Sequence, residues 1–539
     1  MEDKDMKKNV VKRLAAAGLA LCMMVGFVGC GDSGSKKNRG SASSDYKETI
    51  EFSCTSWYSM YMADAGYDLE EETYTQWVMD KFNVEIDAWS LPASNALATT
   101  RLWLNGSTMP DMFIVPYGMP LIEIRQYANL GMMKALPDNW KEQWPNIADM
   151  VETSGYGEAV EINGVTYAIP HATFYNFTDM ETLASHKSIH FRKDWAKQVG
   201  MADFGADGTI KLSELKEYIQ KVADAGLCSK ACLAGTISNT FDLFQLASGI
   251  DGTSDFKKTD DGYVYLPATD EYVETIEAVK EWYDAGLLDP DAYTTDADTA
   301  FEEYTNGLSP AIYASAGVGN YQDMLSDVLK RNGYSSNNTE EREKLYDVYG
   351  LAAIESEEGV VYANGVDNYY TMTAFNPAID DDTMYRILDM IDYFCTKEGQ
   401  AGVTQGIPGE DWELSEDDTI VILNEELSTG EYEPSPSKFF NVWGTAGDDV
   451  AYVPGVAGRY AAEQELVLKI YDIKQKGTVF SYDMNVILLD TEAKQNYSMA
   501  VASQVTKMVI SSKNVKSDWK AYLDEYKSIW QPVLEDLNK

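Results

Sequence analysis

Met112-Phe-Ile-Val115 is an unbroken apolar run held between Pro110-Asp111 and Pro116. A strand with no polar face is one covered on both sides, which antiparallel hairpins at a surface do not require. Ile50-Glu-Phe-Ser-Cys54 and Val84-Glu-Ile-Asp-Ala-Trp89 alternate apolar and polar residues and read as two more strands. Between them, Tyr74-Thr-Gln-Trp-Val-Met-Asp-Lys-Phe82 has the spacing of a crossover helix. The same units recur downstream. Thr269 can cap a helix whose Tyr272, Ile276, Val279 and Tyr283 share a face, with Gly286 and Pro290 at its end. Ser213 similarly opens a helix with Leu215, Ile219 and Val222 inside and Gly226 after it. Strand-helix alternation over 539 residues predicts α/β lobes with mainly parallel sheets, and the length allows two or three of them. No repeat of fixed period is visible.

The first residues describe a destination. Lys4, Lys7, Lys8, Lys12 and Arg13 precede an apolar stretch, Leu14–Val28, too short for an ordinary spanning helix of about 20 residues. Phe27-Val28-Gly29-Cys30 follows, and then a Gly/Ser-rich stretch to Ser44. The arrangement resembles a bacterial lipoprotein signal, which implies a signal peptide at 1–29, acylation at Cys30 and a flexible tether at 30–45. An ordinary secretory signal with an incidental cysteine is the alternative. Of the other cysteines, Cys22 lies within the signal, and Cys54, Cys228, Cys232 and Cys395 are too few for a disulfide framework. Cys228 and Cys232 read as core thiols or as one local disulfide.

Charge narrows the partners. The chain holds 43 Lys+Arg against 87 Asp+Glu, a net −44, which disfavours nucleic acid and anionic lipid surfaces. Removing 1–29 leaves that acidity on the exported part. The 35 Tyr and 12 Trp exceed what core packing alone suggests.

Several segments then become recognisable. Phe191-Arg-Lys-Asp-Trp-Ala-Lys-Gln-Val-Gly-Met201, Asp284-Ala-Gly-Leu-Leu-Asp-Pro290 and Gly106-Ser-Thr-Met-Pro-Asp-Met-Phe113 resemble motifs of family 1 extracellular solute-binding proteins. Asp518-Trp-Lys-Ala-Tyr522 is similar to that family's closing helix, and Gly406-Ile-Pro-Gly-Glu-Asp-Trp412 to its Gly-rich aromatic segment, with Pro408 in place of Glu. The resemblance runs from about Thr49 to the last helix and is to the long, lipid-anchored branch common in Firmicutes. It implies a periplasmic-binding-protein-like clamp of two α/β lobes joined by a three-segment hinge. By that analogy, 46–168 and 310–368 form lobe 1, and 169–309 and 369–539 form lobe 2. It also implies a monomer delivering ligand to ABC permease subunits at the outer face of a Gram-positive cell membrane, held there only by the lipid.

Sugars offer C–H faces and hydroxyl edges, so their clefts want aromatic platforms beside polar groups, placed where parallel strands end. Trp57 and Tyr58 follow the first strand, Tyr117 follows Met112–Val115, and Tyr313 lies in Ala311–Ala316. Tyr167-Ala-Ile-Pro-His171 resembles a family crossing and would leave His171 and Tyr175 at the cleft mouth. Trp443 lies in a loop of the second lobe. These seven are the candidate ligand residues. Trp195, Trp282 and Trp519 fit helix cores, and His186 and His190 fit surface or capping positions.

Asp203-Phe-Gly-Ala-Asp-Gly-Thr-Ile-Lys-Leu-Ser-Glu214 has the spacing of a calcium loop, with Asp203, Asp207 and Glu214 as ligands and Gly205 where a third-position ligand belongs. A Gly-rich connector is the other reading. No nucleophile triad, phosphate loop or His-rich metal motif appears. Three function classes remain: a receptor for an oligosaccharide, with neutral sugars favoured by the acidity; a receptor for a peptide or other solute; and an extracellular glycoside hydrolase working through two carboxylates.

Overall fold

The computed structural model describes residues 46–56, 59, 69, 72–172, 183–335, 338–366, 368–415, 420–424, 439–444 and 461–539. The expected signal peptide and tether lie outside them. Counting only the strands of the two largest sheets, four come from the first part of the chain: β1 (Ile50–Cys54), β2 (Val84–Ala88), β3 (Met112–Val115) and β4 (Ala168–Pro170). Five follow: β5 (Lys187–Arg192), β6 (Thr209–Lys211), β7 (Leu233–Ala234), β8 (Ala311–Ser315) and β9 (Tyr349–Glu355). The chain then supplies β10 (Met372–Phe375). Two five-stranded sheets result, ordered β2-β1-β3-β10-β4 and β7-β8-β5-β9-β6.

The sheets are mixed, not mainly parallel. β1 pairs parallel with β2 and β3, but β10 runs antiparallel between β3 and β4. In the second sheet β7–β8 and β9–β6 are parallel, and β5 runs against both β8 and β9. The reason is topological. β5 and β10 are the strands that arrive from the other sheet, and each enters at the end where its parallel neighbours finish. Met372 sits opposite Val115 and Pro170, and Lys187 opposite Ser315. A strand that returns through a helix runs parallel; one that enters from the facing lobe must run back.

This pairing also changes the segment assignment. β8 and β9, expected with lobe 1, belong to the second sheet, and β10, expected with lobe 2, is inserted in the first. Helix Asp381–Phe394 packs with the first sheet, while helix Ala461–Lys476 packs with the second. The chain therefore passes between the sheets through 172–183, 366–372 and 444–461, the three connections that the resemblance implied.

Each sheet has a core on both faces. Met112 and Phe375 join one apolar cluster, while Phe113, Val115 and Ala374 join another, as alternation along a doubly covered strand requires. In the second sheet, Ile189, Phe191 and Ile354 face one cluster and Ile312, Leu351 and Ala353 the other. Local reading of the helices holds in detail. Thr269 Oγ1 accepts from the Tyr272 N–H at the start of Asp270–Asp284, and Trp195, Trp282 and Trp519 are buried. Ser213 is not a cap. Glu214 reaches back to the Lys211 N–H instead, and Ser213 Oγ bonds Glu357. Cys54, Cys228, Cys232 and Cys395 are free thiols, so the local disulfide does not form.

The third connection enters the second sheet's layer at a buried ion pair. Arg342 donates to Glu463 through Nε at 2.6 Å and Nη2 at 3.0 Å, with both side chains almost fully enclosed. Tyr346 donates to the same carboxylate, and Arg342 also reaches Ser326 Oγ and the Gln322 carbonyl. Eleven residues later in that helix, Lys474 directs its buried ammonium at Ser185 O, Lys187 O and Ser188 Oγ, tying the helix to the start of β5. Removing one member of such a pair leaves the other charge unneutralised in the interior. Glu463→Gln is expected to cost about 3–5 kcal/mol of unfolding free energy. The Arg342→Met/Glu463→Leu double replacement should cost less than either single one, and a denaturant double-mutant cycle measures both.

Candidate functional site

The ends of β3 and β4 at which the connections leave are their C-terminal ends, where ligands lie in sheets of this kind. Tyr117 follows β3 there and is half exposed, with 51% of its surface accessible. Its ring stacks with Tyr370 at 6.0 Å and 19°, and Tyr369 lies 6.2 Å away. Tyr156 packs on Tyr369 at 4.3 Å. Tyr117, Tyr156 and Tyr369 wall a cavity of about 340 Å³ that is also lined from the second sheet's layer by Thr253, Ser254, Tyr482, Asp483, Val486 and Lys494. One space is thus lined by both halves and by the 366–372 connection.

A single-turn helix, Met484–Ile487, forms part of the floor. Asp483 caps it through the Asn485 N–H and accepts from the Tyr263 hydroxyl at 2.8 Å. Met484, Ile487 and Leu488 pack on the first sheet's cluster, while Val486 and Leu489 pack on the second's. The helix therefore touches both cores and couples them beside the cavity. A larger, open hollow of about 610 Å³ on its far side is lined by Glu158, Asp490 and Asp536 with few aromatic groups. The tyrosine-walled space is the better match to a sugar.

The sequence candidates divide. Tyr117 lines the cavity. Trp57, Tyr58 and Tyr175 lie outside the described residues. His171, Tyr313 and Trp443 are not cleft residues. Tyr313 is buried in the second sheet's core, which drives its phenol pKa well up. Trp443 is 2% exposed and packs against Phe394, Phe439 and Phe440 in the first sheet's core. Tyr156, Tyr369, Tyr482 and Lys494, which also line the cavity, escaped the sequence reading. The Tyr369-Tyr370 doublet between two strands was the one available signal.

His171 is wholly buried at the junction of the three connections. Its backbone N–H donates to Thr371 O and its carbonyl accepts from the Tyr370 N–H. Its Nδ1 meets the Gly444 carbonyl at 2.6 Å and its Nε2 meets Thr373 Oγ1 at 2.8 Å. A carbonyl only accepts, so Nδ1 carries a proton, and burial, which lowers the ring's pKa to about 4, keeps it neutral at ordinary pH. Gly444 has no room for a side chain, because a Cβ there would collide with the Phe394 carbonyl. His186 and His190 are also not surface residues. His190 is buried in β5 with Nε2 2.9 Å from Ser315 O, and His186 bonds Ser315 Oγ.

In the calcium-spaced loop, two of the three candidate ligands bond nearby backbone amides. Glu214 is engaged by the Lys211 N–H and Asp207 by the Thr209 N–H. Gly205, at φ +66°, presents the bare backbone to the Phe191 ring where a ligand side chain would stand. Among the described residues no three His, Cys, Asp or Glu side chains converge as a metal set.

No protein-family model matches the sequence, and no curated protein does. Solved structures match over almost their whole length. The alginate-binding protein AlgQ2 without calcium ion aligns with a TM-score of 0.62 at 14% identity, over 93% of this chain and 99% of that one. An HMO-binding, ABC-transporter-associated solute-binding protein from Bifidobacterium longum infantis gives 0.63 at 11%, over 92% and 98%. The Streptococcus pneumoniae ABC-transporter substrate-binding protein FusA, in complex with kestose, gives 0.61 at 14%, over 91% and 98%. The fold is that of ABC-transporter solute-binding proteins.

Burial holds the pKa of all three histidines near 4, against an ordinary 6.5. Between those values the unfolded chain binds protons that the folded chain refuses. Their contribution is therefore complete above about pH 6.5 and falls as pH drops toward 4. Lowering pH from 7 to 5 is expected to cost on the order of 1 kcal/mol per imidazole. His171→Gln should remove one such share from that pH dependence, as read from denaturant titrations at both pH values. An unchanged difference would overturn the assignment.

Proposed function

We propose that this chain is a non-catalytic substrate-binding protein that captures an oligosaccharide and presents it to an ABC importer. The observation that carries the reading is the tyrosine-walled cavity, lined from both sheets and by a connection between them. The proteins of like fold that bind alginate, HMO and kestose support the same ligand class. Extended family 1 membership and a Firmicutes-type origin rest on the motifs in the sequence.

The lobes in this reading are 46–172 with 369–444, and 183–366 with 461–539. Ligand that touches both binds their closed arrangement more tightly and shifts the population toward it, and permease subunits would read that closed state in a monomer. Binding rather than hydrolysis fits the site's chemistry. Asp483 is the one carboxylate among the described lining residues, and both its oxygens already accept hydrogen bonds, whereas glycoside hydrolysis uses two. Acylated Cys30 would hold the protein at the outer face of a Gram-positive cell membrane. No described helix is long and apolar enough to cross a membrane. Fatty-acid labelling of the expressing cell is expected to mark the wild type and not Cys30→Ser.

A thermal-shift panel of glycans and peptides tests the function. A matching glycan in high excess should raise the melting temperature by several degrees. Tyr117→Ala should weaken that glycan about five- to tenfold while leaving the unliganded melting point unchanged, because the ring is half exposed. Response to peptides alone would replace this reading with the peptide-receptor alternative. Turnover of any glycan would reinstate the hydrolase.

A further inference from the structure

The cavity contains a charge that the oligosaccharide reading does not use. Lys494, on the short helix Glu492–Gln495, is the one basic residue among its described lining residues. Its ammonium lies 5.8 Å from the Phe256 ring centre and 5.6 Å from that of Tyr497. No described carboxylate comes within 4 Å of it, in a chain where acidic residues outnumber basic ones two to one. The two nearby acids are otherwise engaged. Asp483 receives the Tyr263 hydroxyl on one oxygen and the Asn485 amide on the other. Asp255 takes the Tyr497 hydroxyl at 2.6 Å, and its burial raises its pKa. Desolvation also lowers the Lys494 pKa, as expected of an ammonium that lacks a close counter-ion.

A half-buried, unpaired ammonium is a cost in the empty protein that a ligand anion would offset. The geometry points to a glycan bearing one acidic group, a carboxylate or a sulfate, which meets Lys494 while neutral sugar rings lie along Tyr117 and its neighbours. This rests on the oligosaccharide reading and sharpens it. It also fits the overall acidity. Surface charges more than about 8 Å away are screened at physiological ionic strength, whereas Lys494 acts at contact distance. One cation answers one anion, and Asp483 on the same lining would repel a second, so a single acidic residue is the class favoured.

The test is calorimetry of the chain from residue 31 onward with matched glycan pairs: lactose and 3′-sialyllactose, xylotriose and its glucuronosylated counterpart, N-acetyllactosamine and its sulfated form. In at least one pair the acidic member should bind about tenfold tighter or more. The sialyl and glucuronosyl arms report carboxylate, and the sulfated arm reports sulfate. Lys494→Met should bring the acidic member down to the neutral one and leave the neutral one within about twofold, while Lys494→Arg should retain the preference. Neutral members binding as tightly as acidic ones in the wild type would overturn the inference and leave the oligosaccharide reading intact. Equal weakening of both members by Lys494→Met would do the same. Binding of no glycan across a wider panel would overturn both.

Discussion

One buried imidazole ties together three segments of the first half, where the chain leaves for the second half and returns from it. His171 ends the first outgoing strand segment, pairs its backbone with the returning second connection, and bonds the third through the Gly444 carbonyl. Its partners arrive from 202 and 273 residues away, so the junction exists only once the chain has returned from the second sheet to complete the first. A neutral ring with one donor and one acceptor suits the site, because an ammonium or carboxylate would be buried without a counter-ion. The first strands, the inserted strand β10 and the aromatic loop of Phe439–Gly444 are thereby fixed relative to one another, and Tyr117 and Tyr369 stand just beyond.

The second half secures its own entry points with heavier electrostatics. Arg342–Glu463 and the Lys474 ammonium place one helix against the start of β5, so all three connections finish at rigid, hydrogen-bonded anchors. The helix Met484–Ile487 supplies an apolar contact between the two halves. The cavity lies beside that contact. Tyr117, Tyr156 and Tyr369 come to it from one half, and Tyr482 and the one basic residue among its described lining come from the other.

Much of this was legible locally. The Met112–Val115 run, the Thr269 cap and the core tryptophans follow from near-neighbour patterns, and all take their expected places. Tyr117 was legible for the same reason, since it follows a strand end. The Ser213 cap was displaced by a local competitor, Glu214, whose longer side chain reaches the Lys211 amide. In the calcium-spaced loop Gly205 leaves its position without a side-chain oxygen, and Asp207 and Glu214 bond nearby amides.

By itself the sequence determined the alternation of strands and helices, the doubly covered sheets, the acidic charge and the small set of caps and core aromatics, because each depends on residues within a few positions of one another. Tertiary structure decided which sheet β8, β9 and β10 join, the mixed strand directions, and which aromatic rings meet solvent. Apolar strands carry no label for a partner hundreds of residues away, and a histidine or tryptophan is a ligand or a strut according to what packs around it. His171 and Trp443 became struts, while Tyr369 and Lys494 were brought to the cavity by connections that only the completed sheets could place.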